Sequence, residues 1–397
     1  MNKKLKIIWL CYFTNKEVQD ILKPRKRVGE IATWISSMIP LFENCSDVEL
    51  NIVSEHRWIS GVKYFKKNGV HYHFYNRGIP FWGRHWPGFF QFDALTNYFQ
   101  LKKRIAIIVN KIKPDIIHLH GAENEFCTSI MQFLFRYPVL VTIQGFISKS
   151  SATLKVVELR KKKELEIIKA FKHFGYRTQT MGNDIHAINP NASLYWHHYP
   201  IKIIVPFDAE KKYDLVFFAR VSKEKGIEDL LKTIALIKIN RPNISLCVIG
   251  GGNTESFQML AFELEISDNV TWAGFLPSQL DVHLLASQAK ISVLPTYHDI
   301  ISGTILESLF LKLPVVAYNV GSIHEVNEKE EIISLVEKLD VEGLAKAIVH
   351  LLDNPEVLKE KAEKGYQRAN EMFMHSDEEI RSSFMNAYNT VIREFKS

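Results

Sequence analysis

The 397-residue chain contains no apolar run of the ~18 residues that a membrane-spanning helix needs. Its apolar start, LKIIWLCYF, lacks a small-residue cleavage site and runs at once into the charged NKEVQD. That segment reads as a buried first strand rather than a secretion signal, and the expected location is cytoplasmic. Cysteine is scarce: Cys11, Cys45, Cys127 and Cys247 lie far apart and form no C-x-x-C pair. This spacing indicates neither a zinc site nor a disulfide framework, so the four read as buried free thiols. No strand-like run is followed by G-x-G-x-x-G with an acid about 20 residues on, which argues against a dinucleotide-dependent oxidoreductase. The segment GGGNTESF is a partial match only.

What is present is an ordinary globular balance, 46% hydrophobic and 24% charged residues. At roughly 100–200 residues per domain, the length suggests two domains. The net charge of +6 is unevenly spread. Residues 1–200 carry 29 Lys and Arg against 15 Asp and Glu, and residues 201–397 carry 21 against 29. A basic first half suits an anionic membrane surface or a lipid-linked phosphate, and solubility alone explains it equally well. Nucleic acid is not an expected partner.

Short apolar, β-branched runs alternate with helical patterns along the whole chain. The runs lie at 5–13, 48–55, 69–75, 115–121 and 138–145, then at 213–220, 244–252, 269–276, 291–297, 313–320 and 332–336. Several are continuous apolar runs, as expected for parallel strands buried on both faces. Between them, KGIEDLLKTIALIKIN places Ile227, Leu230, Leu231, Ile234 and Ala235 on one helix face. TESFQMLAFELEI and VEGLAKAIVHLLDNP read the same way. The series occurs twice, meeting in the polar stretch 207–214, which predicts two doubly wound α/β domains, 1–203 and 204–375. Residues 79–100, rich in aromatics, show too little periodicity for a strand or helix and read as a loop, either packed on its own rings or presented to a membrane or acceptor. The end, from Ser376, opens with a capping signal and reads as a long amphipathic helix, 376–397.

In open α/β folds ligands sit beyond the carboxyl ends of strands. At the first such junction of the second half, FFARVSKEKG, Arg220 follows a strand and Lys225 stands at a helix start with Gly226 behind it. Two cations at a helix N-terminus suit a diphosphate, with charge-assisted hydrogen bonds of ~1.5–3 kcal/mol each and ~0.3–1 from the helix end. Solvated charges at a helix start are the plainer alternative. The second junction is ISVLPTYHDIISGTILESLFLKLPVVAYNVGS. A helix from about Thr304 to Lys312 would aim the amides of Ser302, Gly303 and Thr304 at phosphate oxygens, with Gly303 permitting close approach. Asp299 in the loop and Glu307 one turn into the helix are carboxylates, suited to sugar hydroxyls and poor ligands for phosphate. The set suggests a nucleotide sugar.

These segments resemble glycosyltransferase family 4 of the GT-B fold, in bacterial surface-polysaccharide form. The residues that carry the resemblance are ARVSKEKG, CVIGGG, VTWAGFLP, DIISGTILE and LKLPVVAYNVG, in that order across about 213–326. In the first half KPDIIHLHGAEN and FGYRTQTMGNDIHAINPNA resemble the family more weakly. The resemblance implies two facing Rossmann-like domains with a cleft between them and the C-terminal helix crossing back to the first. It implies transfer of a glycosyl unit from a nucleotide-diphosphate donor to a glycan or lipid-linked acceptor, with retention of configuration and neither cofactor nor essential metal. Arg220 and Lys225 would hold the diphosphate and stabilise the leaving nucleotide. Glu307 would bind ribose, Asp299 the donor sugar, and His120 would lie near donor sugar and acceptor. Gly29, in RKRVGEIATW, would serve the acceptor side. His118 shares a strand face with His120 and reads as a core residue.

The sequence departs from the family at several of these positions. Asp299 replaces a longer acid, Ile300 and Ile301 replace a glycine–aromatic pair, no Gly-Gly pair follows the first strand, and Gln144 stands where many members have a second histidine. A nucleotide-sugar epimerase of the same fold and a non-catalytic nucleotide-sugar-binding partner remain open readings.

Overall fold

The nearly unbroken apolar strands build two parallel sheets in the computed structural model. It describes residues 4–397 apart from 82–83, 87–90, 150–151 and 202–203, with the side chains of 79–81 and 84–86 also outside the description. The chain forms two compact units, Met1–Ile201 with His375–Ser397, and Lys202–Met374.

In chain order the first unit carries β1 (Leu5–Cys11), β2 (Val48–Glu55), β3 (Val62–Lys67), β4 (Val70–Tyr75), a ribbon of β5 (Ile79–Phe81) and β6 (Arg84–Trp86), then β7 (Ile116–His120), β8 (Val139–Thr142), β9 (His173–Tyr176) and β10 (Ser193–Trp196). Its eight-stranded sheet has the order β10-β9-β8-β7-β1-β2-β4-β3. All pairs are parallel except β3 with β4. The order reverses between β1 and β7, so His120 stands at the carboxyl end of a switch-point strand. The core packs Ile7, Trp9, Ile52 and Phe74 against the C-terminal helix Asp377–Lys396. That helix buries Ile380, Phe384, Ala387, Tyr388 and Val391, one stripe at helical spacing. Ser376 and Glu379 close its N-terminus in a capping box. Each large apolar side chain buried this way stabilises by about 1.5–3 kcal/mol.

The second unit carries β11 (Tyr213–Phe218), β12 (Leu246–Ile249), β13 (Val270–Gly274), β14 (Ala289–Leu294), β15 (Val315–Tyr318) and β16 (Ser334–Val336). Its fully parallel sheet has the order β13-β12-β11-β14-β15-β16. The switch point is the gap between β11 and β14, the two strands whose following loops hold Arg220, Lys225 and Asp299.

Three strands are not foreseen from the sequence. β3 is a solvent-facing edge with little apolar signal, β9 (HFGY) carries a histidine and a glycine and no β-branched residue, and β10 is a half-exposed edge strand. The loop expected over 79–100 is corrected as well: the backbone pairs β5 with β6, and helices begin at Phe92 and Phe99. Residues 82–83 and 87–90 of that stretch lie outside the described residues.

Candidate functional site

Two loops at the switch point of the second unit are laced together by backbone. After β11 the chain makes a short turn at Lys223–Lys225 and enters the helix Ile227–Lys238 through Gly226, whose φ is +78°. A Cβ at Gly226 would stand 1.9 Å from the Pro295 carbonyl oxygen, so only glycine lets the turn lie against the end of β14. The Tyr297 amide donates to the Glu224 carbonyl at 2.9 Å, closing the same contact from the other side.

The lacing brings Lys225 to Asp299. The ammonium donates to Asp299 Oδ2 at 2.6 Å, and Thr296 Oγ1 donates to the same oxygen at 3.0 Å. Both charged side chains are about one-fifth exposed, 21% and 22%, so water screens the pair only in part. Arg220 is exposed on the loop that leads to this pair.

Behind the pair lies a buried anchor. Asp229, 5% exposed, accepts from Tyr297 Oη at 3.0 Å and from Tyr318 Oη at 2.8 Å. Burial, then donation to this carboxylate, raises both phenol pKa values, so the hydroxyls stay protonated as donors. Asp229 thus ties the first turn of one helix to the end of β14 and to β15. Gly321, at φ +58°, completes the frame: a Cβ there would lie 1.7 Å from the Asp299 carbonyl oxygen.

The helix Gly303–Phe310 starts beside these loops. Its cap, Ser302, is buried and makes no side-chain cap bond, and no acid occupies the first turn. Thr304 Oγ1 donates to the Phe218 carbonyl at 2.8 Å, which docks the helix start on the end of β11. Gly303 is exposed, and a Cβ there would meet only Glu307 Oε1, at 3.9 Å. An uncapped helix N-terminus with a bare backbone approach is suited to anionic oxygen.

Glu307 is held separately. Its Oε2 lies 3.0 Å from His283 Nε2 and accepts from Gln279 Nε2 at 2.6 Å, both on the helix Gln279–Ala286. It makes no hydrogen bond or ion pair with Lys225 or Asp299 among the described residues. The helix therefore starts at Gly303, one residue earlier than expected, and directs its acid to His283.

His120 and Gly29 belong to the first unit. His120 is 4% exposed, packed against Trp9 and His118, and neither ring nitrogen has a partner among the described residues. Burial, followed by the nearby His197, pulls its pKa down to about 3, so the ring is neutral at physiological pH. His118 is fully buried between Tyr388 Oη at 2.8 Å and Thr142 Oγ1 at 2.6 Å, a core histidine. Gly29 sits in exposed coil, where a Cβ would meet nothing within 4 Å. Gln144 donates to Tyr199 Oη at 2.6 Å.

Sequence reasoning missed Asp229, Thr296, Tyr297, Tyr318, Gln279 and His283. An acid in a first helical turn has the look of an ordinary dipole partner. Tyr297, at the end of its strand run, carried the one readable signal. Among the described residues no group of three or more His, Cys, Asp or Glu could hold a metal, and no helix is long and apolar enough to cross a membrane.

Two doubly wound units, each with polar groups at a switch point, have the architecture of the GT-B fold. Residues 202–369 match the family model described as "Glycosyl transferases group 1". A relative from Bacillus anthracis, N-acetyl-alpha-D-glucosaminyl L-malate synthase, is 22% identical over 366 residues, covering 84% of this chain and 93% of that protein. An uncharacterized glycosyltransferase of Haemophilus influenzae is 28% identical over 142 residues, 35% of this chain and only 39% of the relative's length. Among solved structures, sucrose-phosphate synthase from Thermosynechococcus elongatus aligns at TM-score 0.75 and 16% identity, over 98% of this chain and 100% of that one. At that identity the likeness shows the fold. The second unit thus resembles the group 1 glycosyl transferases, and the whole chain has the GT-B fold.

Proposed function

We propose that the protein is a retaining glycosyltransferase of family 4 that moves a sugar from a nucleoside-diphosphate donor to a glycan or lipid-linked acceptor in surface-polysaccharide assembly. The observation that carries this is the Lys225–Asp299 pair, 2.6 Å apart, at the switch point that also holds the uncapped start of the helix Gly303–Phe310. A diphosphate reaching this point would draw Lys225 from Asp299, take the amides of Ser302, Gly303 and Thr304, and meet Arg220. Asp299, released, would accept from donor-sugar hydroxyls, and Glu307, steadied by His283, from ribose.

Leaving-group departure develops charge on the β-phosphate. Cations and amides fixed in advance stabilise it without reorganisation, an effect worth about 2.7–4 kcal/mol for one such donor. His120, on the acceptor side with Gly29, would hydrogen-bond to a substrate hydroxyl as a neutral ring, since burial lowers its pKa. We propose no metal or cofactor. A relative named capsular polysaccharide biosynthesis glycosyltransferase CapM, from Staphylococcus aureus, supports the pathway reading. The basic first half supports a cytoplasmic protein working at an anionic membrane face.

The test is product analysis. Incubation of the protein with UDP-, GDP- and ADP-sugars, with and without a lipid-linked acceptor extract, should give a new glycoside only when acceptor is present, with the donor's anomeric configuration by NMR. An epimerised donor appearing without acceptor would overturn the transferase reading.

A further inference from the structure

The first unit carries a face that is apolar and basic at once. Residues 99–113 hold five Lys and Arg and no Asp or Glu. One side of the helix Phe99–Ile112 fills the core with Leu101, Ile105, Ile108, Val109 and Ile112. The other side turns Phe99, Lys103, Ile107 and Lys111 to solvent, a stripe at four-residue spacing. Phe99 is 63% and Ile107 59% exposed, and Leu95, just before this helix, is 77% exposed.

The stripe has a basic border. Arg136 donates to Asn110 at 3.1 Å, which sets the end of a neighbouring segment beside the stripe, and Phe135 next to it is 90% exposed. On the other flank, burial and then the Lys163 ammonium lower the Lys102 pKa, as expected where two lysines approach each other. The acid there, Glu166, is already paired with Lys163 at 2.7 Å.

Large exposed apolar side chains also occur in the second unit, at Met259, Phe262, Leu280 and Leu284. Their helices, Glu255–Glu263 and Gln279–Ala286, contain acids and no Lys or Arg, so they offer nothing to an anionic surface. The stretch from Leu95 to Lys111 combines the two features that interfacial binding requires, apolar side chains for the acyl boundary and cations for the headgroups.

We propose that this face of the first unit docks on an anionic bilayer surface, with Leu95, Phe99, Ile107 and Phe135 entering the headgroup layer and Lys103, Lys111 and Arg136 meeting lipid phosphate. It deepens the membrane part of the proposed function. Because vesicle binding is measured without turnover, docking and transferase activity can fail separately.

The test is flotation of the full-length protein with phosphatidylglycerol-containing vesicles and with pure phosphatidylcholine vesicles, at low salt and at about 1 M salt, where the Debye length is near 3 Å. The wild type should float with the anionic vesicles at low salt only. Phe99→Ser/Ile107→Ser and, separately, Lys103→Glu/Lys111→Glu should each weaken binding at least ~10-fold with an unchanged thermal midpoint, and Phe262→Ser should bind like wild type. Equal binding to both lipids, no binding at all, or stripe variants that float like wild type would overturn the proposal. So would a stripe variant that instead dissociates a dimer seen by light scattering, since the face would then belong to a second copy.

Discussion

Lys225 and Asp299 stand 74 residues apart in sequence and 2.6 Å apart in space, joined where the two switch-point loops of the second unit cross. In the proposed function this ammonium is the cation placed in advance for the donor, and Asp299 turns from it to the donor sugar. Lys225→Ala should lower kcat at least ~100-fold, the scale of losing one donor to developing charge. Steady-state kinetics against the preferred donor check this. Asp299→Asn, which keeps shape and removes charge, should raise donor KM while retaining more of kcat.

Asp229 does its work one layer back. Its carboxylate is the shared acceptor of two tyrosine hydroxyls. Asp229→Asn should cost about 1.5–3 kcal/mol in urea unfolding of the second unit, the range for hydrogen bonds to a charged group. It should also lower kcat/KM, because Tyr297 positions the loop that carries Asp299. Tyr297→Phe should show the activity loss with the smaller stability loss, since Tyr318 still satisfies the acid.

Three glycines near the site should behave differently. Gly226→Ala places a Cβ 1.9 Å from a carbonyl oxygen at a φ of +78°, and Gly321→Ala does so at 1.7 Å and +58°. Strain of this kind costs of order 1–3 kcal/mol for the backbone alone, before the clash, so both variants should lose soluble yield and thermal midpoint. Gly303→Ala makes only an ordinary contact with Glu307 Oε1, at 3.9 Å, and removes a glycine from a helix, so its midpoint should hold or rise. Its donor affinity should nonetheless fall, because the methyl stands where phosphate would approach the backbone.

Glu123 and His120 are two of the buried groups, opposite in sign, that shape the acid–base behaviour of the first unit. Burial raises Glu123 from 4.5 to about 7 in the folded chain. Between those values the native state holds a proton that the unfolded state has released, so stability falls as pH rises through that window. At about 1.36 kcal/mol per unit the effect is on the order of 3 kcal/mol, and Glu123→Gln should flatten it. His120 runs the other way: its folded pKa of about 3 lies below the ordinary 6.5, so stability is lost as pH falls from 6.5 toward 3. Thermal midpoints across pH 4–8 for wild type, Glu123→Gln and His120→Gln separate the two.

The second unit was the more legible half, and for a physical reason. Its strands are buried on both faces, so β11, β12 and β14 read as continuous apolar runs, and the glycines and charges after them mark the strand ends. In the first unit β3 lies on the sheet edge with its side chains in water, and no apolar rhythm announces it. The same limit governs the site. Arg220, Lys225 and Asp299 follow strands and can be placed by position alone. Asp229 and His283 become partners only through tertiary contact, and nothing local distinguishes them from ordinary helix residues. Gly29 shows the converse: a glycine singled out by its neighbours, in a place where the backbone makes no demand for one.

Donor binding to wild type and Lys225→Ala tests most directly the anion site proposed at the start of the helix Gly303–Phe310. A thermal-shift screen of UDP-, GDP- and ADP-sugars should find one class that raises the wild-type midpoint, as mass action requires of a ligand bound only by the folded chain. The shift should vanish in Lys225→Ala at the same ligand concentration. An equal shift in both proteins, or none with any nucleotide sugar, would contradict it.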